Sequence, residues 1–301
     1  MQLQQAKRLN VKLRLGLSGA SGFGKTYSAL QLAYGMTNDW SKIAVIDTEN
    51  ASASLYAHLG HFNVLNLNEP FTPERYIQAI TTCEKSGIQV IIIDSVSHEW
   101  SGTGGCLQLH EQLGGRFQDW AKITPRHQAF IDAILQSKCH IITTTRRKTD
   151  YSMDIGRNGK TQVIKHGTKE ITREGFEYEL TVNFELINDN HLAKASKDRT
   201  GLFMNQPEFI IDHQIGKKLI EWCNQGVSLQ QITDEINQTT TLEGLRHLYQ
   251  KYHHLNPEVK PLIMKRKSNI ENTTQIIDNK QIINSKTIQK NGTDTTHTTN
   301  R

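Results

Sequence analysis

The feature that most constrains this chain is a run of eight residues, Gly19-Ala-Ser-Gly-Phe-Gly-Lys-Thr26, that matches the pattern G-x-x-x-x-G-K-[ST] in full. Residues 11–17 before it alternate apolar and polar side chains, which predicts a strand. Residues 25–36 after it carry an apolar face, which predicts a helix. The backbone N–H groups of such a glycine-rich turn can wrap phosphate groups, and the helix N-terminus adds a positive partial charge. The sequence therefore predicts a phosphate-binding loop between a buried strand and a helix.

The side chains of this loop are expected to hold a nucleoside triphosphate and its metal ion. Lys25 reaches the β- and γ-phosphates and is assigned to catalysis as well as binding, and the Thr26 hydroxyl binds Mg²⁺. The cofactors expected are therefore ATP and Mg²⁺. The predicted nucleotide-binding residues are Gly19, Ala20, Ser21, Gly22, Phe23, Gly24, Lys25, Thr26 and Tyr27.

Two further apolar runs end in acidic residues. Residues 89–94 form an isoleucine-rich strand that ends in Asp94, so this carboxylate is expected at the sheet edge where ligands bind and should hold Mg²⁺, through water. The earlier run at residues 42–47 is followed by Glu49, which would lie beside the γ-phosphate and could orient and deprotonate the attacking water. Glu99, five residues after Asp94, is the alternative base.

Strands and helices alternate along the first half of the chain, which predicts an α/β fold with a mostly parallel sheet flanked by helices. Helices are predicted at residues 73–85, with Thr72 as the N-cap, and at 124–136, and a strand at 140–145. A β-hairpin from residues 177–187 and 191–196 is predicted as an extension. Residues 215–223 and 228–266 are predicted to form short helices. Half of the last 34 residues are Asn, Thr or Gln, which is typical of disorder. The predicted organisation is an ATPase core at 1–226, a small helical region at 227–267 and a disordered polar tail at 268–301.

The acidic segment that contains Asp47, Thr48 and Glu49 resembles the part of the RecA/RadA recombinases that carries their catalytic glutamate. The phosphate loop and the strand that ends in Asp94 and Ser95 occur in the matching order. Residues 175–203 resemble the phage and prophage AAA-type ATPases of the RecA-like class, including those tied to single-strand annealing. The resemblance covers about residues 10–225. It implies a RecA-like P-loop NTPase core and an ATPase that takes part in DNA recombination.

The resemblance also assigns a role to the pair Lys197 and Arg199, which flank Asp198. In RecA-like ATPases and ring helicases a similar Lys-x-Arg pair reaches the nucleotide of the neighbouring subunit and neutralises charge on the transferred phosphoryl group. This implies a homo-oligomer, either a ring or a filament. A solvated basic turn is the alternative interpretation. The three threonines at residues 143–145 end a strand, and one of them could contact the γ-phosphate.

Residues 146–169 hold seven lysines and arginines against two aspartates, an excess of five, which equals the formal net charge of +5 of the whole chain. Glycines punctuate this segment, and a tyrosine offers a face for base stacking, as expected for a loop that binds single-stranded DNA. A solvated hairpin with scattered charges is the alternative. The resemblance implies that residues 146–169 follow the strand that leads into the second DNA-binding loop of RecA-like proteins. It places residues 101–116, which hold five glycines, where the first such loop would be. The predicted DNA-binding residues are Arg146, Arg147, Lys148, Tyr151, Arg157, Lys160 and Lys165.

Composition and residue spacing exclude several other classes of protein. No apolar run approaches the ~20 residues of a membrane span, residues 1–10 hold no apolar signal region, and the four cysteines lie far apart. A cytoplasmic location and no membrane partner are therefore expected, and the resemblance implies a bacterial cell and a phage or prophage origin. A single-strand-binding protein is a candidate partner. Two other functions stay open: a nucleotide-gated switch with little turnover that binds DNA or protein, and a ring motor or helicase loader that acts on another protein.

Overall fold

The structure is a computed structural model that describes residues 8, 10–155, 161–252 and 258–272, without the side chains of residues 150–155 and 161–167. Within these residues, nine strands form a sheet in the order β3-β2-β4-β5-β1-β7-β8-β9, with β6 paired to β5. The strands from β3 to β7 in this order run parallel, whereas β6, β8 and β9 are antiparallel to their neighbours. The strands are β1 (Arg14–Gly19), β2 (Ile43–Asp47), β3 (Asn63–Asn66), β4 (Val90–Asp94), β5 (His140–Ile155), β6 (Thr161–Glu170), β7 (Val182–Leu186), β8 (Leu192–Asp198) and β9 (Phe209–Ile210).

Helices flank this sheet and also form a separate C-terminal group. They are α1 (Lys25–Thr37), α2 (Pro73–Lys85), α3 (Ser97–Ser101), α4 (Cys106–Gln112), α5 (Trp120–Gln136), α6 (Phe176–Glu179), α7 (His213–Cys223), α8 (Leu229–Gln238), α9 (Leu242–Lys251) and α10 (residues 258–272). The predicted mostly parallel α/β architecture is confirmed. No helix in the described ranges is long and apolar enough to cross a membrane.

Strands β1, β2 and β4 are buried on both faces, and strand alternation divides the apolar side chains of the sheet between two cores. On β4, Val90 and Ile92 pack into the core with α1 and α7, whereas Ile91 and Ile93 pack into the core with α2 and α5. Successive side chains of a strand point to opposite faces, so an uninterrupted apolar run is what a strand covered on both sides needs. This arrangement places the C-terminal ends of β1, β2 and β4 together at one edge.

Two glycines bring α1 and α7 unusually close. A Cβ built on Gly35 would lie 1.9 Å from the carbonyl oxygen of His213, and one built on Gly216 would lie 2.2 Å from the carbonyl oxygen of Leu32. Both distances are far below van der Waals contact, so any side chain at either position would push the helices apart. The glycines therefore fix the position of α1, whose first residue is Lys25 of the phosphate loop.

The basic segment at residues 146–169 contains two paired strands. Of the two interpretations of residues 146–169, a loop and a hairpin, the structure shows the hairpin, in which β5 continues to Ile155 and pairs with the antiparallel β6. At the base of this hairpin, Arg147 lies opposite Glu170 and Lys148 lies opposite Lys169. From residue 149 to residue 155, Thr, Tyr, Met and Ile alternate with polar side chains, a pattern that favours a strand.

Two other boundaries differ from the sequence predictions. Residues 177–179 belong to the one-turn helix α6 and not to a long strand, because Gly175 adopts a left-handed conformation (φ +94°) that turns the chain before β7. The helix predicted from residue 124 begins at Trp120. The hairpin of β7 and β8 is present, and α2 begins at Pro73 and ends at Lys85 as predicted.

The chain forms two compact units, one spanning Val11–Asn224 and the other containing residues 225–272 with the first described residues. In the second unit, Ile232 and Ile236 of α8 pack with Leu245 and Leu248 of α9 and with α10. Residues 268–272, which composition assigned to the disordered tail, are the last turn of α10. Residues 273–301 of the predicted tail lie outside the described residues.

Candidate functional site

The phosphate loop follows β1 at the C-terminal edge of the sheet. Gly22 and Gly24 have φ angles of +84° and +90°, which side-chain-bearing residues rarely adopt, so the loop needs glycine at both places. The Lys25 Nζ donates hydrogen bonds to the carbonyl oxygens of Gly19 (3.1 Å) and Ala20 (2.9 Å). These contacts hold the ammonium group over the loop, where phosphate oxygens would bind.

Thr26 and Asp94 meet at the floor of this site. The Thr26 hydroxyl lies 2.6 Å from Oδ2 of Asp94, and the Thr144 hydroxyl donates to Oδ1 at 2.5 Å. Burial raises the pKa of Asp94, which is 2% exposed, although both hydroxyls favour the carboxylate. Burial also lowers the pKa of Lys25, while the nearby Asp94 opposes that shift. A hydroxyl and a carboxylate side by side are oxygen donors of the kind that Mg²⁺ prefers, so this pair fits the expected ion.

Glu49 follows β2 and lines the same cavity as Asp94. Asp47 fixes the turn, because its two carboxylate oxygens accept hydrogen bonds from the backbone N–H of Glu49 and of Ala53, both at 2.7 Å. The Glu49 carboxylate accepts a hydrogen bond from the Ser95 hydroxyl (3.0 Å) and pairs through both oxygens with the guanidinium of Arg146, where Nε is 2.8 Å from Oε1. Glu49 is thus a carboxylate at the expected place, held by a cation.

Glu99, the alternative base, faces away from this cavity. It is 1% exposed, and its carboxylate contacts Nδ1 of His127 at 3.1 Å and accepts from the Cys106 thiol at 3.0 Å. A base must come within hydrogen-bond reach of the attacking water. The geometry therefore favours Glu49 for that role. Glu99 instead belongs to a buried polar cluster formed by side chains of α3, α4 and α5.

The phosphate loop, Asp94 and Glu49 line a cavity of about 790 Å³. Of the predicted nucleotide-binding residues, Gly19, Ala20 and Phe23 belong to the loop without lining the cavity. The sequence did not reveal the cavity's apolar side, because that side comes from residues far apart in the chain. The lining residues are Ser21, Gly22, Gly24, Lys25, Thr26, Tyr27, Ser28, Glu49, Ser52, Tyr56, Asp94, Arg146, Arg147, Ile171, His191, Ile210 and Ile211.

His191 is a site residue that sequence reasoning missed. Its Nδ1 lies 3.0 Å from the carbonyl oxygen of Phe23, and it would lie 2.9 Å from a Cβ on Gly24. The imidazole therefore packs directly against the phosphate loop. It belongs to the turn between β7 and β8, and no local motif marks it.

The predicted DNA-binding residues divide into three groups. Arg146 lies in the nucleotide cavity with Glu49. Arg147 is 17% exposed and is held by Ser18, Thr168 and two glutamates, whereas Lys148 is exposed. Arg157 and Lys160 lie outside the described residues, as do the side chains of Tyr151 and Lys165, so their role stays a prediction.

Lys197 and Arg199 lie at the sheet edge opposite the phosphate loop. The strand β7 runs parallel to β1, and β8 runs back along it, so that Asp198 lies beside Val182 at the start of β7. The Lys197 Nζ donates to the carbonyl oxygen of Glu177 (2.8 Å), and Arg199 donates to that of Tyr178 (2.9 Å). Neither cation lines the nucleotide cavity of its own chain.

A phosphate loop, a hydroxyl–carboxylate pair and a facing glutamate at the C-terminal edge of a parallel sheet define the class of P-loop nucleoside triphosphatases. A sequence-family profile described as "AAA domain" matches residues 11–242, more than three quarters of the chain. The chain therefore belongs to this AAA-type family of P-loop ATPases, whose members bind nucleotide and generally hydrolyse ATP. Comparison with curated proteins gave no match.

Proposed function

We propose that this protein is a RecA-like, Mg²⁺-dependent ATPase that acts on single-stranded DNA in recombination or annealing of the phage type. The observation that carries the proposal is the course of β5. Its residue Arg146 lines the nucleotide cavity, and Lys148, two residues further along, lines a second cavity with aromatic and basic walls. One strand therefore connects the site of hydrolysis with a surface suited to nucleic acid.

At the nucleotide site, Lys25 and the N–H groups of the phosphate loop would hold the β- and γ-phosphates, and Thr26 and Asp94 would hold Mg²⁺. When bound, Mg²⁺ neutralises charge on the phosphate oxygens. Glu49 accepts a proton from water as the water oxygen bonds to the γ-phosphorus. The bond from phosphorus to the β–γ bridging oxygen breaks, and ADP and phosphate leave.

The second cavity, which we call the aromatic groove, has a volume of about 720 Å³ and lies between the start of α5 and the base of the hairpin. The rings of Trp100 and Trp120 stack at 5.6 Å with an interplanar angle of 15°. Phe117, which also lines the groove, is 92% exposed. An exposed ring such as that of Phe117 can stack with an unpaired base, at about 1–3 kcal/mol per base. Trp120 also stacks on His110 at 4.1 Å, so the pair of Trp100 and Trp120 forms a wall of the groove.

Basic side chains border these rings. Lys148 and Lys169 face each other across the two hairpin strands, and Arg173 follows β6. The two acids of the groove are engaged by cations: Glu170 lies 3.5 Å from Arg147, and Glu174 lies 3.5 Å from Lys169. Single-stranded DNA offers both phosphates for the cations and unstacked bases for the rings, whereas the bases of a duplex are already stacked.

The same proposal makes the active form an oligomer. Because Lys197 and Arg199 lie at the edge opposite the phosphate loop, they could serve catalysis through the nucleotide of a neighbouring subunit, in a ring or a filament. Their position supports a role between subunits over one within the chain. A single-strand-binding protein stays a candidate partner.

The test measures phosphate release with and without single-stranded DNA, for the wild type and for Glu49→Gln. We expect the DNA to stimulate hydrolysis by the wild type. In Glu49→Gln we expect hydrolysis to be at least ~10²-fold slower while ATP binding is kept.

The double variant Lys148→Glu/Lys169→Glu should weaken DNA binding and flatten its salt dependence, since fewer counterions are released. Lys217→Glu/Lys218→Glu on α7 is the matched control, because it makes the same charge change on a helix whose lysines border neither cavity.

The alternatives give different results in the same experiment. A nucleotide-gated switch would bind ATP with negligible turnover in every condition. A motor that acts on a protein would hydrolyse ATP without stimulation by DNA. Equal loss of DNA affinity in both charge-reversal variants would contradict the aromatic groove as the DNA site.

A further inference from the structure

The nucleotide cavity contains an ion pair that the reaction cannot leave intact. Arg146 pairs through Nε and a terminal nitrogen with both oxygens of Glu49. The side chain of Arg146 is 43% exposed and that of Glu49 is 20% exposed, and both line the cavity. A carboxylate with both oxygens engaged by a guanidinium is poorly placed to accept a proton from water.

We infer that Arg146 is a positioning residue that exchanges partners: it holds Glu49 when no γ-phosphate is bound, and it moves to the γ-phosphate when ATP binds. The exchange releases Glu49 to act as the base. This inference rests on the nucleotide half of the proposed function and is independent of its DNA half.

The chemistry of the two partners makes the exchange possible. A guanidinium binds carboxylate and phosphate with the same planar, two-pronged geometry. The γ-phosphate of ATP carries more negative charge than one carboxylate, and it would enter the cavity that Arg146 already lines. ADP lacks this group, so with ADP the pair of Arg146 and Glu49 persists.

The backbone around Arg146 is anchored, so the side chain can move while the strand stays in place. The Arg146 N–H donates to the Ser97 hydroxyl at 2.9 Å, and its carbonyl oxygen accepts from the N–H of Ile171 at 2.8 Å. In the sheet, Arg146 lies beside Gly19 at the start of the phosphate loop. Glu49 keeps the hydrogen bond from Ser95 after the exchange and so stays oriented toward the cavity.

If Arg146 exchanges partners, the preference of the protein for ATP over ADP depends on whether Glu49 competes for Arg146. A static ion pair would give no such dependence. In the wild type, ATP must break the pair before it gains Arg146. In Glu49→Gln the arginine is released in advance, so the preference for ATP over ADP should increase by at least about tenfold, the value of a charged hydrogen-bonded pair. That increase should require Arg146.

The experiment measures dissociation constants for the non-hydrolysable analogue AMP-PNP and for ADP, with Mg²⁺ and without DNA, by isothermal titration calorimetry. The proteins are the wild type, Glu49→Gln, Arg146→Ala and the double variant. The expected preference for AMP-PNP over ADP is highest in Glu49→Gln and falls at least about tenfold when Arg146→Ala is added. Adding Arg146→Lys to Glu49→Gln should keep part of the increased preference for AMP-PNP, because lysine retains the positive charge.

A second ion pair provides the matched control. Arg126 binds both oxygens of Glu74 at 2.6 and 2.8 Å on the surface formed by α2 and α5. Glu74→Gln and Arg126→Ala remove the same chemical groups and should leave the nucleotide preference unchanged, and melting curves check that every variant is folded.

Equal preferences in Glu49→Gln and in the double variant would show that Arg146 does not reach the γ-phosphate and would overturn the inference. Failure of the folded wild type to bind either nucleotide would overturn the proposed ATPase as well. The titrations contain no DNA, so an absence of DNA stimulation contradicts only the DNA half of the proposed function.

Discussion

Asp94 shows at the scale of one residue that function and stability have opposite requirements. The carboxylate is 2% exposed, and burial raises its pKa, because transferring a charge from water to the protein interior is costly. The hydroxyls of Thr144 and Thr26 offset part of this cost. Magnesium binding needs the charged form, so the site keeps a group that the fold would hold more easily as a neutral one.

Replacing Asp94 with asparagine should therefore stabilise the protein at pH 7, by about 1 kcal/mol in the free energy of unfolding, and abolish Mg²⁺-dependent nucleotide binding. The pKa of Asp94 is higher in the folded than in the unfolded protein, so the wild type recovers stability as the pH falls through that raised pKa and the carboxyl is protonated. The advantage of the variant should thus shrink on acidification. Thermal melts of both proteins between pH 7 and pH 4 check this.

A variant that is less stable than the wild type by a constant amount across this pH range would contradict the argument. It would mean that the hydrogen bonds accepted by the carboxylate contribute more than its burial costs. Asp119→Asn is a useful comparison, because burial does not dominate there: the hydrogen bond from Arg116 lowers the pKa of Asp119.

At the scale of secondary-structure elements, the contact between α1 and α7 determines how accurately the phosphate loop is placed. Gly35 and Gly216 allow the two helix backbones to touch, and α1 begins with Lys25. A shift of α1 along or away from the sheet would move Lys25 and Thr26 with it. The precision of the nucleotide site therefore depends on two glycines that do not contact it.

Gly216→Ala should lower the free energy of unfolding by about 1–3 kcal/mol, because the new methyl group meets the backbone carbonyl of Leu32 and cannot be accommodated by a side-chain rotation. Nucleotide affinity should fall as well, since α1 must move. Chemical denaturation and nucleotide titration measure the two effects. Gly244→Ala is the control: its methyl group would meet side-chain atoms of Thr239 and Thr241, which can shift. Equal effects of the two substitutions would argue against a special role for the helix contact.

The elements that the sequence predicted well are those encoded by local patterns. The phosphate loop, the strand that ends in Asp94 and the helix that begins at Pro73 each depend on a few consecutive residues. The run Phe176-Glu-Tyr-Glu179 fits one helical turn as well as a strand, and only the left-handed Gly175 decides between them. His191 and the pairing of Arg146 with Glu49 depend on contacts between distant segments, for which a single sequence carries no signal.

At the scale of the whole molecule, the nucleotide cavity and the pair Lys197 and Arg199 occupy opposite edges of one sheet. If the pair acts on a neighbour's nucleotide, the interface joins two different surfaces. Such head-to-tail contacts build a ring when the rotation from one subunit to the next returns the last subunit to the first, and a filament when it does not. The direction of β8 therefore supports the proposed oligomer.

Mixing two inactive variants tests this arrangement. Arg199→Ala should bind ATP but not hydrolyse it, and Lys25→Ala should fail to bind ATP. Together they should regain part of the wild-type phosphate release, because an Arg199→Ala subunit keeps a sound phosphate loop and a Lys25→Ala subunit still supplies the arginine. A chain that carries both substitutions is the control, since it cannot restore activity to either variant. Full activity of Arg199→Ala in dilute monomeric form would exclude action between subunits.

The aromatic groove also gives the protein an intrinsic fluorescence signal for DNA binding. The chain has four tryptophans, and two of them, Trp100 and Trp120, line the groove. A third, Trp40, is stacked on Tyr34 at 4.6 Å and lines neither cavity. Indole emission depends on the surroundings of the ring, so unlabelled DNA that enters the groove should change the emission of Trp100 and Trp120. Occupancy of the groove can then be followed in real time, in the unmodified protein, while ATP is turned over.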